Sequence, residues 1–257
     1  MLTIATWNIN SVRMRLPAVL VWLKENAPDV VLLQETKAIN DQFPREEIED
    51  LHYNIALHGQ KSYNGVAILS KFPLEDIQCG LPNFKDASAR YIEAVVRGTR
   101  IASIYVPNGM AVGSEKYAYK LDFLQHLYQH TQQLLTYDER LILGGDFNVT
   151  PTDQDVYDPA AWHEKILCST PERAAFRTLQ HLGLTDALRA LHTDARELYT
   201  WWDYRGGAWQ NNFGMRLDHF LLSPQAADHL TEAFVDKKAR DGEKASDHAP
   251  VICRFEV

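Results

Sequence analysis

The chain is poor in cysteine. Cys79, Cys168 and Cys253 stand far apart in 257 residues. They form neither a CxxC pair nor a zinc-knuckle spacing, so a disulfide framework is excluded and a reduced, cytoplasmic protein is expected. No uncharged apolar run approaches the ~18 residues that span a bilayer, which argues against a membrane partner. Met1 leads straight into Leu2-Thr-Ile-Ala-Thr-Trp-Asn8, without a basic segment or a long apolar stretch, and no secretion signal is expected. Positive charge is also scarce: 26 Lys and Arg face 34 Asp and Glu, a formal net charge of −8. That excludes a sequence-blind nucleic-acid coat, whose affinity comes from bulk positive charge. It leaves room for a local basic rim. Phosphate-cradling glycine loops of the GxxxxGKS or GxGxxG type are missing, and so is the GxSxG elbow. Nucleotide-cofactor and serine-hydrolase chemistry are therefore not suggested.

What is present can bury a sizeable core: 46% of residues are hydrophobic and 11% aromatic. The length suits one long domain or two small ones. No repeat or low-complexity linker divides the chain, so one domain over residues 1–257 is expected. Leu16, Val19, Leu20 and Leu23 fall at helical spacing, with Pro17 placed in the first turn and Ala27-Pro28 closing the helix. Leu121, Leu124, Leu127 and Leu134 stripe a second helix, and Phe176, Leu179 and Leu182 a third, stopped by Gly183. Leu2 to Thr6, Val30 to Leu33, Tyr53 to Leu57, Val66 to Leu69, Leu217 to Leu222 and Val251 to Phe255 read as strands. Tyr91 to Val96 and Arg100 to Val106 read as a hairpin turning at Gly98-Thr99. Several strands are wholly apolar, as when both faces are covered. The pattern predicts a layered α/β protein with helices outside the sheets. Periodicity alone does not choose between a single Rossmann-like sheet and two sheets packed together.

The organising stretch is Leu141-Ile-Leu-Gly-Gly-Asp-Phe-Asn148. Its aliphatic residues predict a buried strand, with Gly144 and Gly145 ending it and allowing the turn. If the extended backbone continues, Asp146 and Asn148 lie on one side. The competing reading is an ordinary Asx turn after a strand. The same pattern recurs along the chain. Asn8 follows the first strand and Glu35 the second; Tyr105 and Asn108 end another. Asp247-His248 precedes the last strand, and Asp218 opens its neighbour. Each alone passes for a cap or a paired surface group; Asp218, for instance, has Arg216 and His219 beside it. Together they form a set of hard oxygen donors with one histidine and one tyrosine. Carboxylate and amide oxygens suit Mg²⁺, with Mn²⁺ as a substitute, whereas zinc calls for more His or Cys. The chemistry suggested is metal-assisted hydrolysis of a phosphoester.

Seven segments occur in order: Thr6-Trp-Asn-Ile-Asn10, Leu33-Gln-Glu-Thr-Lys37, Asn64-Gly-Val-Ala67, Tyr105-Val-Pro-Asn-Gly109, Gly145-Asp-Phe-Asn148, Arg216-Leu-Asp218 and Ser246-Asp-His-Ala-Pro250. With Tyr199-Thr-Trp-Trp-Asp-Tyr-Arg205, they make the chain resemble the exonuclease III family of abasic-site endonucleases, in the endonuclease/exonuclease/phosphatase superfamily. The resemblance implies a four-layer α/β sandwich, two mixed β-sheets packed face to face with helices outside. It implies a monomer acting on duplex DNA that carries abasic sites, nicks or blocked 3′ ends, by abasic endonuclease, 3′→5′ exonuclease and 3′-phosphatase activity. Glu35 would be the principal Mg²⁺ ligand, with Asn8 and Asp247 beside it; Asp146, Asn148 and His248 complete the metal-side group. Asp146 would orient or deprotonate the attacking water, and Asn148 position the water or the phosphate. His248, held by Asp218, would stabilise developing charge. Tyr105 would contact the phosphate or leaving group.

Around this centre, Arg13, Arg15, Lys61, Tyr63, Asn64, Arg90, Asn108, Lys116 and Lys120 are candidate DNA contacts. Trp201, Met215 and Leu217 match the residues that line an abasic-sugar pocket in the resembled family. Met215 stands where relatives often carry a larger ring. Residues Val156 to Cys168 read as a loop-like insert after the central motif. Two other readings compete: a phosphatase of the same superfamily acting on a phospholipid or inositol phosphate, and a binding protein with a decayed site.

Overall fold

The computed structural model describes residues 1–256; Val257, the end of the expected single domain, lies outside the described residues. In chain order the strands are β1 (Leu2–Asn8), β2 (Val30–Gln34), β3 (Asn54–His58), β4 (Val66–Ser70), β5 (Glu75–Cys79), β6 (Tyr91–Val96), β7 (Thr99–Tyr105), β8 (Arg140–Asp146), β9 (Thr185–Asp186), β10 (Trp201–Trp202), β11 (Gly214–Met215), β12 (Asp218–Leu222), β13 (Leu230–Val235) and β14 (Val251–Phe255). The helices are α1 (Val12–Asn26), α2 (Arg45–Glu49), α3 (Glu115–Leu135), α4 (Pro159–Trp162), α5 (Thr170–Gln180), α6 (Ala187–Leu191) and α7 (Pro224–Ala227). Two six-stranded sheets run β13-β14-β1-β2-β4-β3 and β5-β6-β7-β8-β12-β9. Each sheet has one parallel pair at its centre, β1 with β2 and β7 with β8.

Strand alternation assigns the layers. Ile4, Val30, Leu32 and Ile68 of the first sheet meet Ile92, Ile101, Ile142 and Phe220 of the second in one apolar core. The intervening residues, such as Ala5, Trp7, Val31 and Leu33, face away and pack under α1 with Val19, Trp22 and Leu23. Ala102, Ile104, Leu141 and Leu143 pack likewise against Phe123, Leu124 and Leu127 of α3 and Phe176 and Leu179 of α5. Helix, sheet, sheet, helix is the expected four-layer sandwich. Among the described residues no helix is long and apolar enough to cross a membrane.

Three local expectations are corrected. Gly144 and Gly145 do not end the central strand, which runs on through Asp146. Gly144 sits where the two sheets touch, and a Cβ there would lie 2.5 Å from the Phe220 ring and 2.6 Å from Leu32. A Cβ on Gly145 would collide with the Ile104 carbonyl at 1.9 Å. Their role is close approach, not a turn. The β6–β7 hairpin turns at Arg97-Gly98, both at positive φ (50° and 72°), one residue earlier than expected. That is the geometry of a two-residue type I′ turn. Helix α1 starts at Val12, so Pro17 lies inside it and not in its first turn.

The topology fixes where side chains go. Parallel neighbours share a C-terminal edge, so Asn8 is level with Gln34, one residue before Glu35, and Tyr105 is level with Asp146. Antiparallel β12 starts level with the end of β8, pairing Asp218 with Asp146. β14 starts at Val251 opposite Thr6, which brings the preceding Asp247-His248 to the same edge.

Candidate active site

Asn8 is the hinge of this edge. It is fully buried. Its amide nitrogen donates to Glu35 Oε1 (3.0 Å) and to Asp146 Oδ2 (2.9 Å), so it ties the two sheets together across the site. The Tyr105 hydroxyl also donates to Glu35 Oε1, at 2.9 Å. Lys37 Nζ lies 2.8 Å from Glu35 Oε2. Burial works to raise the Glu35 carboxyl, but Lys37, Asn8 and His248 outweigh it and hold it below the usual range. Burial and the Glu35 and Asp146 charges push the Tyr105 phenol far up, so it stays a donor at neutral pH. Arg90 lies over the Tyr105 ring, 4.7 Å from its centroid.

Asp146 and Asn148 combine both readings of their segment. The Asn148 backbone N–H donates to Asp146 Oδ1 (2.9 Å), an Asx-type turn, and Asn148 has φ +49°. Its side-chain amide nevertheless returns to the site and donates to Asp146 Oδ2 at 3.2 Å and to the Val106 carbonyl at 2.9 Å. Asn108 donates in turn to Asn148 Oδ1 at 3.2 Å.

His248 Nδ1 lies 2.8 Å from Asp218 Oδ2, and His248 Nε2 lies 3.7 Å from Asp146 Oδ2. Burial would lower the imidazole, but the Asp218 and Asp146 carboxylates reverse this and raise it to about 10. Asp146 moves the other way from a normal carboxylate. Burial, with Asp218 and Glu35 nearby, raises it to about 7 against the pull of His248. The pair is thus shifted in opposite senses, with the carboxylates favouring a charged imidazole and burial favouring a protonated Asp146. Asp247 accepts from Trp201 Nε1 and from Asn10 Nδ2, both at 3.0 Å. Those bonds and His248 keep it below the usual range despite burial. Two more contacts lock the strand ends together: Ser246 Oγ donates to the Asn8 carbonyl (2.6 Å) and Trp7 Nε1 to the His248 carbonyl (3.1 Å).

Glu35, Asp146, Asp218 and Asp247 converge here, and only His248 and Lys37 offset them within the set. Asp146, Asp218 and His248 each offer an atom within 4.8 Å of the others. His248 and Asp218 are bonded to each other, however, so this trio reads better as an ion pair aimed at Asp146. Glu35 and Asp247 bring further carboxylate oxygens to the same edge, and Asn8 turns its amide nitrogen to Glu35 and Asp146; carboxylate oxygens of this kind suit a divalent cation.

Residues 5–248 match the Endonuclease/Exonuclease/phosphatase family. The chain belongs to that family. It is 32% identical to an exodeoxyribonuclease III of Haemophilus influenzae, over 97% of this chain and 98% of the relative. Two solved structures overlay along its whole length and theirs. One is a 3′ phosphatase from Neisseria bound to product DNA hairpin (43% identity, TM-score 0.98). The other is an AP endonuclease from Archaeoglobus fulgidus (38% identity, TM-score 0.96).

Within this family member, the expected rim divides. Arg13 and Lys61 are exposed, Tyr63 is 71% exposed, and Lys116 is exposed at the start of α3. Asn64, nearly buried, donates to Gln60 and braces the Lys61–Tyr63 tip. Arg15 is engaged with Tyr204 and with the carbonyls of Asn10 and Lys244. Lys120 is a correction. It is fully buried and ion-paired to Glu172, so it offers nothing to DNA. Its position near the motifs suggested a surface; its partner, 52 residues away in sequence, was invisible locally.

Trp201, Met215 and Leu217, the expected sugar-pocket residues, belong to one apolar cluster. Met215 is fully buried and Leu217 is 2% exposed; both pack with Val156, Leu167 and Cys168. Of the three residues only Trp201 is partly exposed. The expected loop-like insert Val156 to Cys168 is no open loop. Val156 bridges Met215, α4 forms inside the segment, and the Leu167 carbonyl accepts from Thr150. Arg216 does not pair with Asp218; it bonds Asp155 and Asp186 at 2.7 Å each. Lys37 and Asn10 went unremarked in the sequence, although both lie inside its recognisable motifs.

Proposed function

We propose that this protein is a DNA-repair phosphodiesterase, a monomer acting through one domain. It hydrolyses phosphoester bonds of duplex DNA at abasic sites, at 3′ ends and at 3′ phosphates. The observation that carries the reading is the buried Asp218–His248 pair set against Asp146, at the sheet edge shared with Asn8, Glu35, Tyr105 and Asn148. Similarity to an exodeoxyribonuclease III, a 3′ phosphatase and an AP endonuclease supports the substrate class.

Each residue then has a task. Glu35 would hold a Mg²⁺ or Mn²⁺ ion as the main charged anchor, with Asp146 and Asp247 as further oxygen donors and His248 adjoining them, while Asn8 and Asn148 fix the carboxylates through their amide nitrogens. Such an ion, when bound, neutralises phosphate oxygens and polarises the phosphorus. Asp146 takes the proton of the attacking water, and its raised value suits a base near neutral pH. Asn148, fixed from both sides, orients that water. The His248 imidazolium donates to the phosphoryl oxygen where negative charge grows, with Asp218 holding its ring. Tyr105 donates its hydroxyl at the phosphate or the leaving oxygen. Arg13, Lys61 and Tyr63 hold the duplex backbone. The packed state of Met215 and Leu217 favours 3′-end processing as the faster reaction, since an extruded abasic sugar would have to displace them.

The test is a substrate panel: duplex DNA with a 3′ phosphate, the same duplex with an internal abasic site, and an inositol phosphate. We expect hydrolysis of both DNA substrates, faster at the 3′ phosphate, and none of the inositol phosphate. Turnover of the inositol phosphate alone would replace this reading with the phosphatase one. Specific DNA binding without turnover of any substrate would favour the decayed binding protein.

A further inference from the structure

Lys120, miscast by the sequence as a surface contact, has a different place. It projects from α3 beneath the site, and its ammonium is fully buried. An ammonium has three donors, and all three are used: Asn148 carbonyl at 2.7 Å, Asn108 carbonyl at 3.1 Å, and the Glu172 carboxylate. Asn108 and Asn148 are also the two residues whose side chains meet above, at 3.2 Å. Lys120 therefore grips from below the backbones of the pair that bond each other from above. Asn148 needs such a grip. Its φ of +49° is uncommon for a residue with a side chain, and its carbonyl is the one Lys120 holds closest. Gly109, also at positive φ, packs against the lysine stem, where a Cβ would lie 3.1 Å from Lys120 Cδ.

Glu172 is fixed just as firmly. It occupies the third position of α5 in a capping box with Ser169, and it accepts from the Ser169 and Leu167 N–H groups at 3.1 Å each. A buried ion pair of this kind is weak evidence for stability, because desolvating both charges offsets much of their attraction. Its geometry points elsewhere.

We propose that Lys120 is a positioning residue: with Glu172 as its fixed counter-charge, it sets the spacing of Asn108 and Asn148 and so aims the Asn148 amide at Asp146. This rests on the hydrolytic reading above. The experiment measures release of a 3′ phosphate from duplex DNA by the wild type, Lys120→Met, Lys120→Met/Glu172→Met and Glu172→Gln. The double variant removes both charges, so no carboxylate is left stranded. Melting curves and the side-chain amide NMR signals of Asn108 and Asn148 accompany each. An inactive wild type would defeat the hydrolytic reading itself and leave the lysine's assignment without a reaction to serve. With an active wild type, the folded double variant should lose about 10²-fold in kcat, as misplacement near 1 Å does. Its KM should change less than about threefold by the same reasoning, since no phosphate contact is lost, and both amide signals should shift or broaden. Wild-type kcat in the folded double variant would overturn the proposal, as would a loss confined to KM. Failure of the double variant and of Glu172→Gln to fold would overturn it too, by assigning the pair to core stability.

Discussion

At the scale of residues, burial decides the chemistry. Burial, with Asp218 and Glu35 beside it, raises the Asp146 carboxyl above its ordinary range. Replacing it with Asn keeps the shape and the bond from Asn8 but removes the base. Turnover of Asp146→Asn should fall at least ~10²-fold, with duplex binding retained by gel shift or anisotropy. Undiminished turnover would remove Asp146 from the role of base. Glu35→Gln should instead shift the Mg²⁺ requirement upward while the fold survives, read as activity against Mg²⁺ concentration; an unchanged half-saturation point would count against Glu35 as the anchor. The sequence showed these residue types because each follows an apolar strand. It misjudged Lys120 because burial depends on a partner remote in sequence, Glu172.

At the scale of elements, a buried charge network supports the start of β12. Arg216 bonds Asp155 and Asp186, and Arg189 bonds Asp155 at 2.6 Å. His219 accepts from Arg216 at Nδ1 (3.0 Å), so its Nε2 donates to the Val149 carbonyl beside Asn148 (3.0 Å). None of this was legible locally, since Asp155 precedes Arg216 by 61 residues. The network should respond to acid. Burial and Arg216 lower His219 to about 4. An unfolded histidine takes its proton near ~6.5, so stability should fall as pH drops from there toward about 4. Burial tends to raise Asp155, but Arg216 and Arg189 hold it well below the carboxylate range. Its stabilisation is full above the unfolded value of ~3.9 and is lost further down. Melting temperature should therefore decline below pH 6.5, and His219→Gln should flatten the first part of that decline. An equal slope in the variant would detach the effect from His219. Asp155→Ala strands Arg216 and should cost roughly 3–5 kcal/mol in denaturant unfolding; a loss under about 1 kcal/mol, typical of an exposed pair, would mean the network is wet.

At the scale of the whole molecule, the two parallel pairs do the assembling. Crossovers bring the C-terminal ends of β1 and β2, and of β7 and β8, to one edge, and sheet packing brings the two edges together. Strand positions and covering helices were readable from apolar runs and helical spacing. The face-to-face pairing was not, because alternation fixes which side is buried but not against what; only the family resemblance supplied it. The net charge of −8 means that DNA must be held by the local rim. Lys61→Ala or Arg13→Ala should lower the slope of log affinity against log salt by about 1 each if the residue meets a phosphate, and an unchanged slope would return that residue to the solvated surface. The central claim is that a divalent cation and this acidic edge together hydrolyse DNA phosphoesters. The most direct measurement is inorganic phosphate released from a 3′-phosphorylated duplex by chelator-treated protein, as Mg²⁺ is added back. No release is expected without the metal, a saturable return with it, and none at any Mg²⁺ concentration in Asp146→Asn. Full release from the stripped protein, or by the Asp146→Asn variant, would contradict the claim.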